Sequence, residues 1–458
     1  MNSWKLDELR WLDFYIATAI AFATWIIVNV LKDIDFVYVS EVAVLFAAMC
    51  VAVMLLRFNV VPVPIFAFFI SFCLFYLGRP IAHTLGHYVD VYTGSSHWFY
   101  SERFSESSIR DALVMVVSSA GGLIVGVFLS RIGWFGNGCR VGLYYVIPEE
   151  YSRALNILSF FVFVLWISTS WGELQGGHYE KLYEMFISGG GGLLRFMQLI
   201  GVSAVSVALL SRSDKRLAEA LMINLLVGVL LAILGQRGTL VTTAVAYSVI
   251  AVPRLLSFRS GIIFVLACFL LAYLASSIAR PDISDYSEGG GDALSGGLME
   301  GGATLLVLIS TVNIGASAFD VVSPLHLILP FITGIKQIFV DINPEAVNYS
   351  NLLSYLMNPG LFFAGYGVGW SLLGDLYAVF GGDAFLVFLS SFLLGALFSY
   401  LLRSEQSSLL AAPLLAILPK LLFLPRASLS TIFPLYWQVM MVTLLFIIIG
   451  SNSNKNHR

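Results

Sequence analysis

The chain has 458 residues, of which 58% are hydrophobic and only 12% charged, with a mean hydropathy of +0.86. Soluble domains are about a quarter charged, so this composition excludes a soluble globular protein and describes a polytopic membrane protein. A net charge of −3 argues against nucleic acid as a partner, and Cys50, Cys73, Cys139 and Cys268 form no CxxC, so neither a zinc site nor a disulfide framework is expected.

A spanning helix needs about 20 largely apolar residues. Windows of that size fall near 12–31, 37–56, 60–78, 112–130, 154–170, 193–211, 217–234, 239–253, 261–279, 383–402, 408–424 and 433–450. They predict an all-α integral membrane fold of about twelve spans, a single membrane domain over 1–458 with no soluble domain expected at either end. The first apolar run is too long for the h-region of a signal peptide, and no small-residue cleavage site follows it, so it is read as retained.

Lysine and arginine in the short loops set the orientation. With the N-terminus in the cytoplasm, the inner loops carry Arg57, then Arg131, Arg140 and Arg153, then Arg212, Lys215 and Arg216, then Arg254 and Arg259, then Arg403, and the tail carries Lys455 and Arg458. Both termini are therefore predicted to be cytoplasmic. Three arginines break the bias by falling at the outer face: Arg237 in "GQRGTL", Arg280 after the ninth span, and Arg426 in "LPRASLST". Each has Gly or Pro beside it. Lys420, in "LPKLLFLPR", precedes Arg426 by one and two-thirds turns, about 9 Å deeper at helical rise. One such cation alone snorkels to lipid headgroups or pairs with an acid; together they suit an anionic ligand held at the outer surface.

The stretch 280–380 is the one large outer segment, between the ninth and tenth spans. It opens with "RPDISDYSEGGGDALSGGLMEGG", whose glycines preclude a regular helix and whose acids include Asp282, Asp285 and Glu288. Its middle, "ATLLVLISTVNIGASAFDVVSPLHLILPFITGI", is too apolar for a solvated loop and is broken by Asn313, Gly315, Asp320 and Pro324, so it is predicted as helices lying along or dipping into the interface. A full crossing there would reverse every later span and place the basic Arg403 loop outside. The segment ends in "NPGLFFAGYGVGWSLLGDLYAVFGGDAF", where Gly365, Gly367 and Gly369 permit close backbone approach to a ligand or helix, and a helical pattern resumes from Trp370 with Asp375 on it.

Three stretches carry a resemblance over most of the chain: the early "FISFCLFYLGRPIAHTLG", "GQRGTL" after a span, and the late "GYGVGWSLLGDLYAVFGG" followed by a span and a basic turn. In order and spacing they resemble the O-antigen polysaccharide polymerases, the Wzy family of Gram-negative inner membranes. The family's late motif more often carries a glutamate where this chain has Asp375, which keeps the carboxylate with one methylene less reach. The resemblance implies a membrane glycosyltransferase that polymerises undecaprenyl-diphosphate-linked repeat units on the periplasmic face for lipopolysaccharide biosynthesis. It also implies membrane lipid and a chain-length regulator protein of the inner membrane as partners.

The leaving group of that reaction is a lipid diphosphate. Arginine binds phosphate oxygens through a bidentate fork and stays charged in apolar surroundings, so Arg237, Arg280 and Arg426, with Lys420, are the expected diphosphate-binding set, without cofactor or metal. His83 and His87 stand at i and i+4, but Gly86 weakens a helix there and no carboxylate joins them at ligand spacing. For the base that takes the acceptor proton, the outer candidates are Asp375, Glu288 and Asp285, then Asp282 and His326. Sugars are expected against Gly365, Tyr366, Gly367, Trp370 and His326, with Trp98 and Trp171 as further rings. A lipid-linked sugar flippase needs a similar span number but also similar halves and mid-membrane polar groups, which are not seen. An O-antigen ligase shares the chemistry, with His326 as the one residue resembling a ligase's late outer histidine.

Overall fold

The computed structural model describes residues 3–34, 36–57, 63–85, 92, 104–130, 149–174, 192–211, 213–233, 240, 243–244, 298–299, 301–327, 348–363, 367–403 and 408–455. Among these residues there is no β-strand. The helices are α1 (Ser3–Asp33), α2 (Phe36–Leu56), α3 (Val63–Thr84), α4 (Glu106–Leu129), α5 (Glu149–Leu174), α6 (Gly192–Ala208), α7 (Asp214–Ile233), α8 (Ala303–Ile314), α9 (Tyr349–Met357), α10 (Pro359–Phe363), α11 (Leu372–Phe380), α12 (Ala384–Arg403), α13 (Ser408–Phe423) and α14 (Phe433–Lys455). Four short 3-10 turns join them, at Ala316–Phe319, Pro324–Leu327, Leu424–Arg426 and Leu429–Thr431. Every expected span except the eighth and ninth coincides with a helix. The 239–253 window is described only at 240, 243 and 244, and 261–279 lies outside the described residues.

The centre of the bundle is α4, whose most apolar stretch is 94% buried, against 28% for that of α1. Ser105 starts it, accepting the Ser108 N–H at 3.1 Å, with Glu106 favourably placed in the first turn. On α4 the small residues face α12: a methyl built on Gly122 or Gly126 would land on the carbonyl oxygen of Phe388 or Phe392, and one on Gly395 on that of Leu123. Backbones thus touch directly, and two serine pairs, Ser119–Ser391 at 2.8 Å and Ser130–Ser399 at 2.7 Å, lock the register. Small residues and hydroxyl pairs are how helices associate where lipid removes the hydrophobic incentive.

These contacts make α4 and α12 parallel. Parallel spans require an odd number of crossings between them, which the five windows between 154 and 279 satisfy and a sixth crossing at α8 would not. Helix α8 has 12 residues, about 18 Å at 1.5 Å per residue, too short for a hydrocarbon core of about 30 Å. It is enclosed by protein, with Thr304–Val312 buried against α3, α4 and α11. What covers this apolar helix is therefore protein.

Other contacts fix the remaining directions. Arg110 on α4 donates to the carbonyl oxygens of Lys32 and Ile34 at the end of α1, so those helices are antiparallel. Ser71 and Tyr76 on α3 bond to the carbonyls of Leu422 and Pro425, so α3 and α13 run together. The ends of α1, α3 and α13 and the beginnings of α4 and α12 therefore share one end of the bundle. At the far end Arg57 grips Asp13 at 2.5 Å and Arg216 grips Glu219 at 2.7 Å.

Because the α4–α12 contact has backbone on both sides, Gly126→Ala should displace a helix, and overpacking of this kind costs about 1–3 kcal/mol. A lowered thermal midpoint in detergent is expected for Gly126→Ala. Gly360→Ala, whose methyl would meet nothing nearer than Asn358 Oδ1 at 3.4 Å, should leave the midpoint unchanged.

Candidate functional site

At the end of the bundle where α3 and α13 finish, a small second core closes over the helices. It comprises Val307, Phe319, Val322, Leu327, Tyr349, Leu352, Leu353 and Trp370. Tyr349 is its hub: its ring centre lies 5.8 Å from those of Phe319 and Trp370 and 4.6 Å from that of His326, edge-on to Phe319 and His326. Such edge-to-face pairs add stabilisation beyond the area that they bury. The segment entering this cap turns at Gly369, whose φ of +79° is a conformation that residues with a Cβ rarely adopt. Its carbonyl accepts a hydrogen bond from Ser350 Oγ at 3.1 Å.

Helix α11 follows from local rules. Ser371 caps it by accepting the Gly374 N–H at 2.9 Å, and the left-handed Gly381 ends it at φ +65°. Asp375, in its first turn, is fully buried. Its carboxylate accepts four contacts: Trp370 Nε1–H at 2.6 Å, the Leu429 N–H at 2.7 Å, and the Ser428 hydroxyl shared between its two oxygens at 3.0 and 3.1 Å. Burial pushes the carboxyl up to about 7, opposed by the hydrogen bonds from Leu429, Trp370 and Ser428. A second polar knot lies beside it. The Tyr76 hydroxyl accepts the Leu373 N–H at 3.0 Å and donates to the Pro425 carbonyl at 2.8 Å.

Between those two knots sits Arg426, exposed on the turn Leu424–Arg426. Lys420 is exposed on α13. His326 is buried beneath Tyr349, and the turn carrying it packs on the turn Leu429–Thr431. Its Nδ1 lies 2.7 Å from the Ser323 carbonyl, which can only accept, so Nδ1 bears the hydrogen and Nε2 is left as a buried acceptor without a hydrogen-bond partner among the described residues. Burial holds its pKa below the usual histidine range, partly offset by the Ser323 bond. Burial thus favours the neutral ring.

The structure therefore brings Asp375, Trp370, His326 and Arg426 to one end of the bundle, with Gly367 exposed at its edge. Arg237, Arg280, Asp282, Asp285, Glu288, Gly365, Tyr366, Trp98 and His87 lie outside the described residues. Trp171 falls on α5 and His83 is exposed near the end of α3. Among the described residues no three His, Cys, Asp or Glu side chains are grouped as a metal site would require. Sequence reasoning missed Tyr76 and Ser428, and also Arg79, one turn beyond Tyr76 with Nε 3.1 Å from the Met299 carbonyl. Arg79 lies inside the quoted "FYLGRP" and was legible as one more cation towards the outer face. The pairing of Tyr76 with residues 297 and 349 positions away has no local signal.

The raised Asp375 value sets a sign for pH dependence. An ordinary carboxyl titrates at 3.8 and this one at about 7, so its contribution to stability is fully present below the lower value and is lost as pH rises through about 7. Thermal unfolding in detergent between pH 5 and 8 should show wild type losing stability relative to Asp375→Asn as pH rises. Parallel pH profiles for the two would contradict this.

The family model described as O-antigen polysaccharide polymerase Wzy matches residues 13–457. No curated protein and no solved structure matches the chain. Both the family resemblance read from the three motifs and the all-helical membrane fold are thereby borne out. Nearly the whole of this all-α polytopic membrane protein is covered, and the chain belongs to the Wzy family of O-antigen polysaccharide polymerases, which act on lipid-linked oligosaccharide repeat units.

Proposed function

We propose that the chain moves a growing O-antigen from one undecaprenyl-diphosphate carrier to the sugar end of a repeat unit on a second carrier. The reaction takes place at the periplasmic face of the inner membrane, with both termini in the cytoplasm. The observation that carries this reading is the meeting, at one end of the bundle, of an exposed arginine with an aromatic cap and a glycine-bearing edge. The paired basic residues Arg57 and Arg216 at the other end support its orientation.

In the transfer, the bond from the anomeric carbon to the diphosphate oxygen breaks, and its electron pair leaves with the diphosphate. The acceptor hydroxyl oxygen forms the new glycosidic bond, and its proton passes to a carboxylate. Arg426, with Arg237 and Arg280, neutralises the departing diphosphate, and Lys420 follows its lipid side. Stabilising charge where it develops is the largest part of such catalysis, and fixed guanidinium groups supply it without a divalent cation. Glu288 and Asp285 are the carboxylates for the proton, since Asp375 is enclosed with both oxygens occupied and a base must reach the hydroxyl. Gly365, Tyr366 and Gly367 border the sugar site, and Trp370 and His326 form its enclosed floor. A chain-length regulator protein sets where extension stops.

Arg237→Ala should insert and accumulate normally yet leave lipopolysaccharide capped by a single repeat unit, because a charge-assisted contact to phosphate is worth about 1.5–3 kcal/mol and its loss leaves the partner unpaired. Arg237→Lys keeps the charge without the fork and should give shorter chains. Arg254→Ala, on the cytoplasmic side, should keep the full ladder on silver-stained gels. A full ladder from Arg237→Ala at normal protein level would remove that arginine from the site. With purified protein, extension should also continue in a chelator, and complete, reversible loss on chelation would refute the metal-free account.

A further inference from the structure

We infer that Asp375 is a positioning residue whose buried carboxylate holds the turn carrying Arg426 and so fixes the direction in which that guanidinium meets the diphosphate. The inference rests on the reading of Arg426 given above. The turn is held on both sides. Before Arg426, the Tyr76 hydroxyl donates to the Pro425 carbonyl at 2.8 Å; after it, the Leu429 N–H and the Ser428 hydroxyl reach Asp375 at 2.7 and 3.0 Å. The two holds share one helix, because the same Tyr76 oxygen takes the N–H of Leu373, two residues from Asp375 on α11. They also tie three elements far apart in sequence, α3, α11 and the end of α13, at the one place where the exposed arginine emerges.

Each contact to Asp375 is a donor aimed at it, an arrangement that suits the ionised form which it takes on as pH rises through about 7. Three donor hydrogens occupy both oxygens, and no surface of the residue is exposed to a substrate hydroxyl. Asp375 therefore acts through the turn that it holds. A misplacement of about 1 Å in a group that must meet a reacting centre can cost about a hundredfold in rate, so a turn held from both sides has a direct effect on the chemistry.

The test is a cycle of variants of the full chain, in membrane vesicles from cells that make the lipid-linked repeat, at matched protein level. Asp375→Asn replaces one acceptor by an NH2 group that faces either Trp370 Nε1–H or the Leu429 N–H, and should slow extension by about tenfold. Arg426→Ala should slow it by at least as much. In the Arg426→Ala background, Asp375→Asn should add less than about a twofold further loss, since an absent guanidinium cannot be misdirected and coupled residues do not add. Losses that multiply in the double variant would overturn the clamp while leaving the reading of Arg426 in place. Full extension by Arg426→Ala alone would overturn both. Should Asp375→Asn accumulate poorly, Ser428→Ala keeps the carboxylate and its Leu429 bond, and the same comparison applies to its smaller loss: multiplication with Arg426→Ala overturns the clamp, absorption by it supports the clamp.

Discussion

The direct backbone contact between α4 and α12 is the constraint from which the rest of the architecture follows. Two helices that touch along a row of glycines and serines can do so in one register and one direction. Once α4 and α12 are parallel, α1 is antiparallel to α4 through Arg110. The same contact brings the start of α12, and with it α11, to the end where α3 and α13 stop. Small-residue packing thus determines which polar groups meet at that end, although none of the glycines is part of the meeting.

Inside the cap, polar burial is costly and is offset by completeness. Taking a carboxylate out of water is expensive, and only geometry that satisfies its lone pairs recovers the loss. Asp375 is satisfied by three residues, Trp370, Ser428 and Leu429, two of which belong to a different element from its own helix. Tyr76 shows the same economy, accepting from one element and donating to another. A network of this kind specifies an arrangement more than it stabilises one, because removing any partner leaves another exposed to an apolar wall.

Much of this was legible in the amino-acid sequence. Span length alone located every helix from α1 to α7 and from α12 to α14, because a bilayer accepts no other backbone there. The stretch from 303 to 314 is legible as helical and apolar, but the helices that cover it are not, because hydropathy measures what a segment avoids and not what covers it. In the site, Asp375 stood out by its motif, yet its enclosure could not be read, since the groups that enclose it come from residues 428 and 429 and a ring five residues upstream that must fold back. Arg426 was found through charge bias, a local property, whereas Tyr76 looked like one more aromatic residue in a phenylalanine-rich helix.

The crossing of α3 over the start of α8 has a meaning for how such chains can diverge. A methyl on Gly78 would press on the Leu298 carbonyl oxygen and, at 3.0 Å, on the Gly302 nitrogen, and one on Gly302 would press on the backbone of Arg79. The nearest atom in both cases is backbone, so a larger residue on one helix cannot be accommodated by a smaller one on the other. Most packed positions drift in compensating pairs; this pair has nothing to exchange. Substitutions in the segments around it can leave this crossing untouched, whereas a side chain larger than hydrogen at either glycine cannot.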